Sequence, residues 1–237
     1  MAQQLNVSIS TVSRALNNHP DISAELVERV KTLAKELNYS PNPLAMGLLK
    51  QHTRTIGVIV PDLVTHFYAS IISGIEAYAK QQGYFILIAS SDESSEKEAE
   101  SISNLLKTRV EGIIMCLSQE TATFNHFDSL LNNEIPLVFF DRICRPTEFP
   151  SVVVDNFKAA REIVHHFYQQ GCTRIAYING PAHLNISKER LAGYLQGLDD
   201  CKLPYDPQLQ ATCNLSRSDA RRAVQTLLQG ISRPDAI

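Results

Sequence analysis

Val7-Ser8-Ile9-Ser10-Thr11-Val12-Ser13-Arg14-Ala15-Leu16 places Val12, Ala15 and Leu16 at the spacing that faces one side of a helix. The other side carries Ser8, Ile9, Ser10, Ser13 and Arg14. These are short hydroxyls for phosphates, a small apolar side chain for a thymine methyl, and one forked donor for guanine. Just upstream, Ala2, Leu5 and Val7 supply the apolar positions of a short helix and turn. The stretch therefore reads as the second helix of a helix-turn-helix that begins almost at residue 1, with DNA as the first partner it suggests. Thr11 and Asn17 complete the set of candidate DNA-contacting residues. The alternative reading is an ordinary amphipathic surface helix with Ser8 as its N-cap.

Working outward, Asn17-Asn18-His19-Pro20 is a turn cluster, and Asp21 or Ser23 can cap a third helix over Ala24 to Leu37, apolar at Leu26, Val27, Val30, Leu33, Ala34 and Leu37. The three-helix unit stops at Asn38-Tyr39-Ser40-Pro41-Asn42-Pro43, where each proline disfavours helix in the residue before it. A short helical stretch follows from Leu44 to Lys50. From Thr55 the pattern alternates. Strands read at Ile56 to Val60, Tyr84 to Ala89, Gly112 to Leu117 and Pro136 to Phe140, with helices at about Phe67 to Gln81, Ser95 to Thr108 and Thr123 to Asn132. That is the signature of a parallel, doubly wound sheet. A short strand at Ser151 to Val154 leads to a second set: helix 157–170, strand 174–179, helix 187–200, a strand near Gln210 to Cys213, helix 218–229 and a strand over Arg233 to Ile237.

Three separated motifs make the chain resemble the lactose-repressor and purine-repressor family of bacterial transcription regulators. They are Val-Ser-x-x-Thr-Val-Ser-Arg at Val7 to Arg14, Tyr-Ser-Pro-Asn-Pro-x-Ala at Tyr39 to Ala45, and Arg54-Thr55-Ile56-Gly57-Val58-Ile59-Val60-Pro61-Asp62. Weaker echoes run through Val110 to Ile114, Phe140-Asp141-Arg142, Val154-Asp155-Asn156 and Glu189-Arg190-Leu191-Ala192-Gly193-Tyr194, so the resemblance covers the whole chain. It implies a small all-α helix-turn-helix domain at 1–40, a hinge at 41–54, and an α/β two-lobed periplasmic-binding-protein-like effector domain at 55–237. The first lobe is expected over about 55–150 and an incomplete second lobe over 151–237. Both ends look cut relative to the family.

The resemblance also implies roles. In a dimer, two hinge segments pair in the minor groove and insert a leucine at a base step, and Leu48 holds that position. Pro43 to Leu49 is shorter than the roughly 12 to 15 residues an isolated helix needs, so ordering only on DNA is expected; the alternative is a linker helix whose Leu44, Leu48 and Leu49 pack on the core. For the effector, a ligand in an open parallel sheet lies beyond the carboxyl ends of the strands. Asp62 and Phe67 follow the first strand, Asp141 and Arg142 the fourth, and Asp155 and Asn156 the crossover. Arg190 opens a second-lobe helix and matches the family's ligand-binding arginine. Carboxylates, an amide and guanidinium forks beside an aromatic face suit a polyhydroxylated ligand such as a sugar. Two alternatives stay open: Asp155-Asn156 as a helix cap, and Asp141-Arg142 as an ion pair at the cleft rim. Leu215 stands where relatives often carry an aromatic.

Composition narrows the rest. At 237 residues and 44% apolar, the chain can bury one small and one larger core. Residues 1–54 hold six Lys or Arg against four acids, while the remainder holds 16 against 21, so the end expected to meet phosphate is the positive one. Cys116, Cys144, Cys172, Cys201 and Cys213 are odd in number and lack a Cys-x-x-Cys pair, which points to free thiols and no zinc. With no apolar run of about 18 residues and a polar Met1-Ala2-Gln3-Gln4 start, a cytoplasmic protein with no membrane partner is expected. Enzyme readings fail on motifs. Val60 to His66 offers no glycine for a dinucleotide's pyrophosphate, there is no Gly-x-Ser-x-Gly, and His165-His166 point about 100° apart on a helix. No cofactor is expected. The function expected is an effector-controlled, dimeric repressor that reads operator DNA.

Overall fold

The computed structural model describes residues 1–37, 39, 52–144 and 148–237. The hinge stretch Pro43 to Leu49, Leu48 included, lies outside the described residues. Residues 1–53 form one compact unit and residues 54–237 a second.

In the first unit, α1 (Ala2–Leu5), α2 (Ile9–Leu16) and α3 (Ala24–Glu36) follow in short order. The turn between α1 and α2 needs a left-handed residue, and Asn6 supplies it at φ 52°. Ser8 starts α2 by accepting the Thr11 N–H at 3.0 Å, and Ser23 starts α3 by accepting that of Leu26 at 3.4 Å. Val12, Ala15 and Val30 are buried among Ala2, Leu5, Val7, Leu16, Leu26 and Val27. The apolar residues that the sequence put on one side of each helix thus meet in one small core.

The second unit opens with β1 (Thr55–Val60), α4 (His66–Gln81), β2 (Phe85–Ser90), α5 (Ser95–Lys107) and β3 (Gly112–Met115). A 3₁₀ turn at Asn125–Phe127 leads into α6 (Asp128–Asn132), then β4 (Leu137–Phe140) and β5 (Ser151–Val152). The helix expected from Thr123 is therefore shorter: Phe124 and Phe127 turn into the core in a tight 3₁₀ bend before the α-helix starts. The five strands are all parallel in the order β2-β1-β3-β4-β5, with Gly57 beside Leu87 on one side and Ile113 on the other. Alternate residues of a strand face opposite sides, and β1 shows the result. Ile59 packs with Ile102 and Leu105 of α5, while Val58 and Val60 pack with Tyr68, Ile71 and Ile75 of α4. Both faces are covered, as a doubly wound sheet requires. Phe127, Phe139 and Phe149 stack edge to face at 5.5 to 6.4 Å beneath the α5 side.

Next come α7 (Asn156–Gln169), β6 (Tyr177–Asn179), α8 (Asn185–Asp200), β7 (Gln210–Thr212) and α9 (Arg217–Gln229). β6 and β7 pair in parallel. The strands expected over Arg174 and over Arg233 to Ile237 reduce here to one bridge, Ile175 to Ala236, flanked by Asp235 N–H to the Arg174 carbonyl and Ala176 N–H to the Ala236 carbonyl; the Asp235 carboxylate also accepts the N–H groups of Thr173 and Arg174 at 2.9 Å each. α7 and α8 approach closely because Gly193 and Gly197 face α7, where a Cβ would collide with the Phe157 carbonyl and the Val164 side chain.

Candidate DNA-reading and effector sites

On α2 the exposed residues are Ile9, Ser10, Ser13 and Arg14, with Asn17 just past its end. At 100° per residue they fall within an arc of roughly 140°, opposite Ala15, which is fully buried. Ile9 is 81% exposed, the one apolar side chain on an otherwise polar face of α2. Ser8 does more than cap the helix, since its Oγ also lies 2.7 Å from Ser10 Oγ and 2.8 Å from Thr11 Oγ1. Thr11 is half-buried in that cluster. Asn17 Nδ2 donates to the Ser13 carbonyl at 2.8 Å, closing the helix end. The surface is a ridge of one apolar knob, hydroxyls, an amide and a guanidinium. Such a ridge is too polar and too exposed to belong to a protein interior.

In the second unit, the strand order places a topological switch between β1 and β3, which is where ligands bind in such sheets. Asp62 follows β1. Its carboxylate accepts the N–H groups of Val64 at 2.8 Å and Thr65 at 3.0 Å, and the Thr65 hydroxyl. Those bonds, the Thr65 hydroxyl first, hold the Asp62 carboxyl below its ordinary value and shape the entry to α4. Phe67 is half-exposed on that entry, edge-on to Tyr68.

Asp141 and Arg142 follow β4, and they do not pair with each other. Arg142 is buried at 5% exposure and reaches Glu93 through both terminal nitrogens, at 2.7 and 3.0 Å; it also donates to the Leu117 carbonyl. The rim ion pair Asp141-Arg142 is thus corrected: the partner is Glu93, which lies 49 residues away in the chain and also accepts the Gln119 N–H at 2.7 Å. Asp141 takes a left-handed φ of 58°. Burial pushes its carboxyl above 3.8, against the pull of Arg142 and Arg190. Behind it, the fully buried Cys116 thiol is pushed up to about 12 by the same loss of water.

A raised carboxyl binds its proton more tightly folded than unfolded, so its cost is absent below about pH 4 and grows as pH rises through the window above 3.8. Asp141→Asn, which tolerates the same backbone, should raise the melting temperature at pH 7.5 and show little difference at pH 3.5. Melting curves at both pH values check this; a lower melting temperature for the variant at pH 7.5 would refute it.

Asp155 caps α7, its Oδ1 accepting the Lys158 N–H at 2.8 Å. Asn156 is buried, accepts from Arg190 Nε at 2.8 Å and donates to Glu189 Oε2 at 3.0 Å. Arg190 sits in the second turn of α8 rather than opening it, and is exposed apart from that bond. Of the seven effector candidates, Asn156 and Arg190 touch directly and Asp141 feels the Arg190 charge. Residues the sequence did not single out join the two sheets: Asn185 bonds Ile143 N–H and the Asp141 carbonyl, and His183 Nε2 lies 2.5 Å from the Gln119 carbonyl. The fully buried Glu98 steadies the loop after β3, accepting from Ser118 N–H at 2.7 Å and Thr121 Oγ1 at 2.8 Å, with His126 at 2.9 Å. Leu215 comes close to Gly180, after β6. Among the described residues no group of His, Cys, Asp and Glu could hold a metal ion, and no helix is long and apolar enough to cross a membrane. His165 instead lies 2.9 Å from Asp200 Oδ2.

A helix-turn-helix unit joined to a doubly wound domain with polar groups at its strand ends defines a class: DNA-binding regulators that sense a small molecule. Comparison with known proteins agrees. Residues 1–42 match "Bacterial regulatory proteins, lacI family", and residues 53–237 match "Periplasmic binding proteins and sugar binding domain of LacI family". The whole chain is 33% identical to the HTH-type transcriptional repressor CytR of Escherichia coli (strain K12), covering 69% of that protein's length. It is 31% identical to catabolite control protein A of Priestia megaterium, covering 71%. The Lac repressor dimer bound to operator and the anti-inducer ONPF superposes on 97% of the chain, with a TM-score of 0.81 at 26% identity and 69% of its own length covered. The chain belongs to the LacI family and is a DNA-binding transcription regulator.

Proposed function

We propose that this chain is a cytoplasmic, non-enzymatic repressor that reads its operator through Ile9, Ser10, Ser13, Arg14 and Asn17, with Ser8 and Thr11 on phosphates and Leu48 in the minor groove. It works as a homodimer, and a sugar held by Asp62, Phe67, Asp141, Asn156 and Arg190 sets its operator affinity. The observation that carries this reading is the exposed face of α2, polar except for Ile9, backed by a fully buried Ala15. For the dimer, the support is an exposed apolar sheet edge on the second unit: Tyr78 on α4 and Ile88 of the edge strand β2 on one side of the sheet, and Phe85 and Leu87 of β2 on the other. Arg142 supports the effector site from below, because both its terminal nitrogens are taken by Glu93. Asp155 contributes through its cap. An effector can shift operator affinity only by its differential affinity for two arrangements of the domain.

The test begins with selection of an operator from random duplexes. Arg14→Ala should then lose about 1 to 3 kcal/mol on that operator and relax preference at one position in each half-site, with little change on random DNA. An equal loss on both would make Arg14 a phosphate contact and remove the base-reading role.

A further inference from the structure

We propose that Asn185 is a positioning residue for the effector site, a two-pronged amide bracket that fixes the separation of Asp141 and Arg190. This deepens the effector reading above and rests on it. Asn185 is the first residue of α8, one place past the N-cap, and an asparagine near a helix start can turn its side chain back on its own backbone. Here it does not: Leu184 stands at the N-cap with no side-chain cap, and the amide reaches a segment more than 40 residues away. Its Oδ1 accepts the Ile143 N–H at 3.0 Å and its Nδ2 donates to the Asp141 carbonyl at 3.3 Å. Donor and acceptor of one planar group are thus committed to one short segment, which fixes orientation as well as distance. A hydroxyl or a single amide contact would leave the rotation free.

Both ends of the bracket rest on firm supports. On one side the Asp141 N–H donates to the Val152 carbonyl at 3.2 Å, and its neighbour Arg142 is anchored on Glu93. On the other, Arg190 lies five residues along α8 from Asn185, about 7.5 Å along the axis, and Asn156 holds its Nε. Moving Asn185 relative to Ile143 would therefore carry Arg190 relative to Asp141. The His183 contact with the Gln119 carbonyl lies on the same approach to α8 and limits swivel about the bracket.

Three forms of the whole chain test this: unaltered, Asn185→Ala and Asn185→Asp. The readouts are hydrogen exchange at the Ile143 amide and calorimetric titration with D-ribose, D-fructose, D-glucose and cellobiose. Asn185→Ala should raise Ile143 exchange about tenfold, as expected for one lost hydrogen bond, without altering Val58 or Met115. It should also weaken whichever sugar binds the unaltered chain by about tenfold or more. Asn185→Asp keeps the acceptor for Ile143 and loses the donor to Asp141, so it should retain Ile143 protection yet still lose sugar affinity. Unchanged Ile143 exchange, or sugar binding by Asn185→Ala equal to that of the unaltered chain, would overturn the bracket alone. If no sugar binds the unaltered chain, the sugar reading fails and the positioning role falls with it.

Discussion

Arg142→Ala should destabilise the α/β unit by about 3–5 kcal/mol, the cost of removing one partner of a buried ion pair. The Arg142 side chain is 6% exposed and that of Glu93 26%, so water cannot replace the lost guanidinium well. Glu93 would keep only the Gln119 N–H, and the Leu117 carbonyl would lose its Arg142 donor. The pair itself adds little net stability, because burying both charges costs nearly what their attraction returns, and Arg142 Nε already has no acceptor. The double variant Glu93→Gln/Arg142→Met should therefore be more stable than Arg142→Ala. Urea denaturation of the unaltered chain, the single variant and the double variant checks both statements. A single variant within about 1 kcal/mol of the unaltered chain would mean that the pair is effectively solvated.

Gly193→Ala should be nearly as damaging, at about 3 kcal/mol, the upper end of what overpacking usually costs. A flexible side chain could move aside, but the atoms in the way are the Phe157 backbone carbonyl and the Ala160 Cβ, the latter at 3.0 Å. Relief requires α7 and α8 to separate, opening the cluster of Val164, Ile175, Tyr194 and Leu198. Separation would also stretch the Arg190 to Asn156 bond. Thermal unfolding followed by circular dichroism, with Asn156 and Arg190 amide exchange, measures this. A variant as stable as the unaltered chain would show that the helices are less tightly apposed than the structure has them.

The alternation of strands and helices was legible from Thr55 onward because the strands of the first sheet are short apolar runs, the central ones covered on both faces, and β1 shows this in six residues. The α2 reading was legible for a similar reason: burial at Val12 and Ala15 imposes a helical period. Gly193 belonged to a motif whose reason only packing supplies, since nothing in Leu191-Ala192-Gly193-Tyr194 says which helix presses against it. The Arg142 partner was not legible at all. Asp141 is adjacent in sequence, yet its left-handed backbone lies beside an Arg142 that meets Glu93 from the turn after β2, a pairing set by strand order. Asn185 was missed likewise: the apolar pattern placed the start of this helix at 187 and left Asn185 in the preceding turn, and only the fold brings Ile143 within its reach.

If a small molecule at the strand ends governs what the helical unit does on DNA, the effect must appear in operator binding itself. The most direct measurement is the operator affinity of the unaltered chain and of Arg190→Ala, each titrated with a sugar that binds the unaltered chain. The sugar should change the operator affinity of the unaltered chain, whereas Arg190→Ala should bind operator normally without sugar and lose the response. An operator affinity that is indifferent to a bound sugar, or a response that survives intact in Arg190→Ala, would contradict control of the DNA-reading helices from this site.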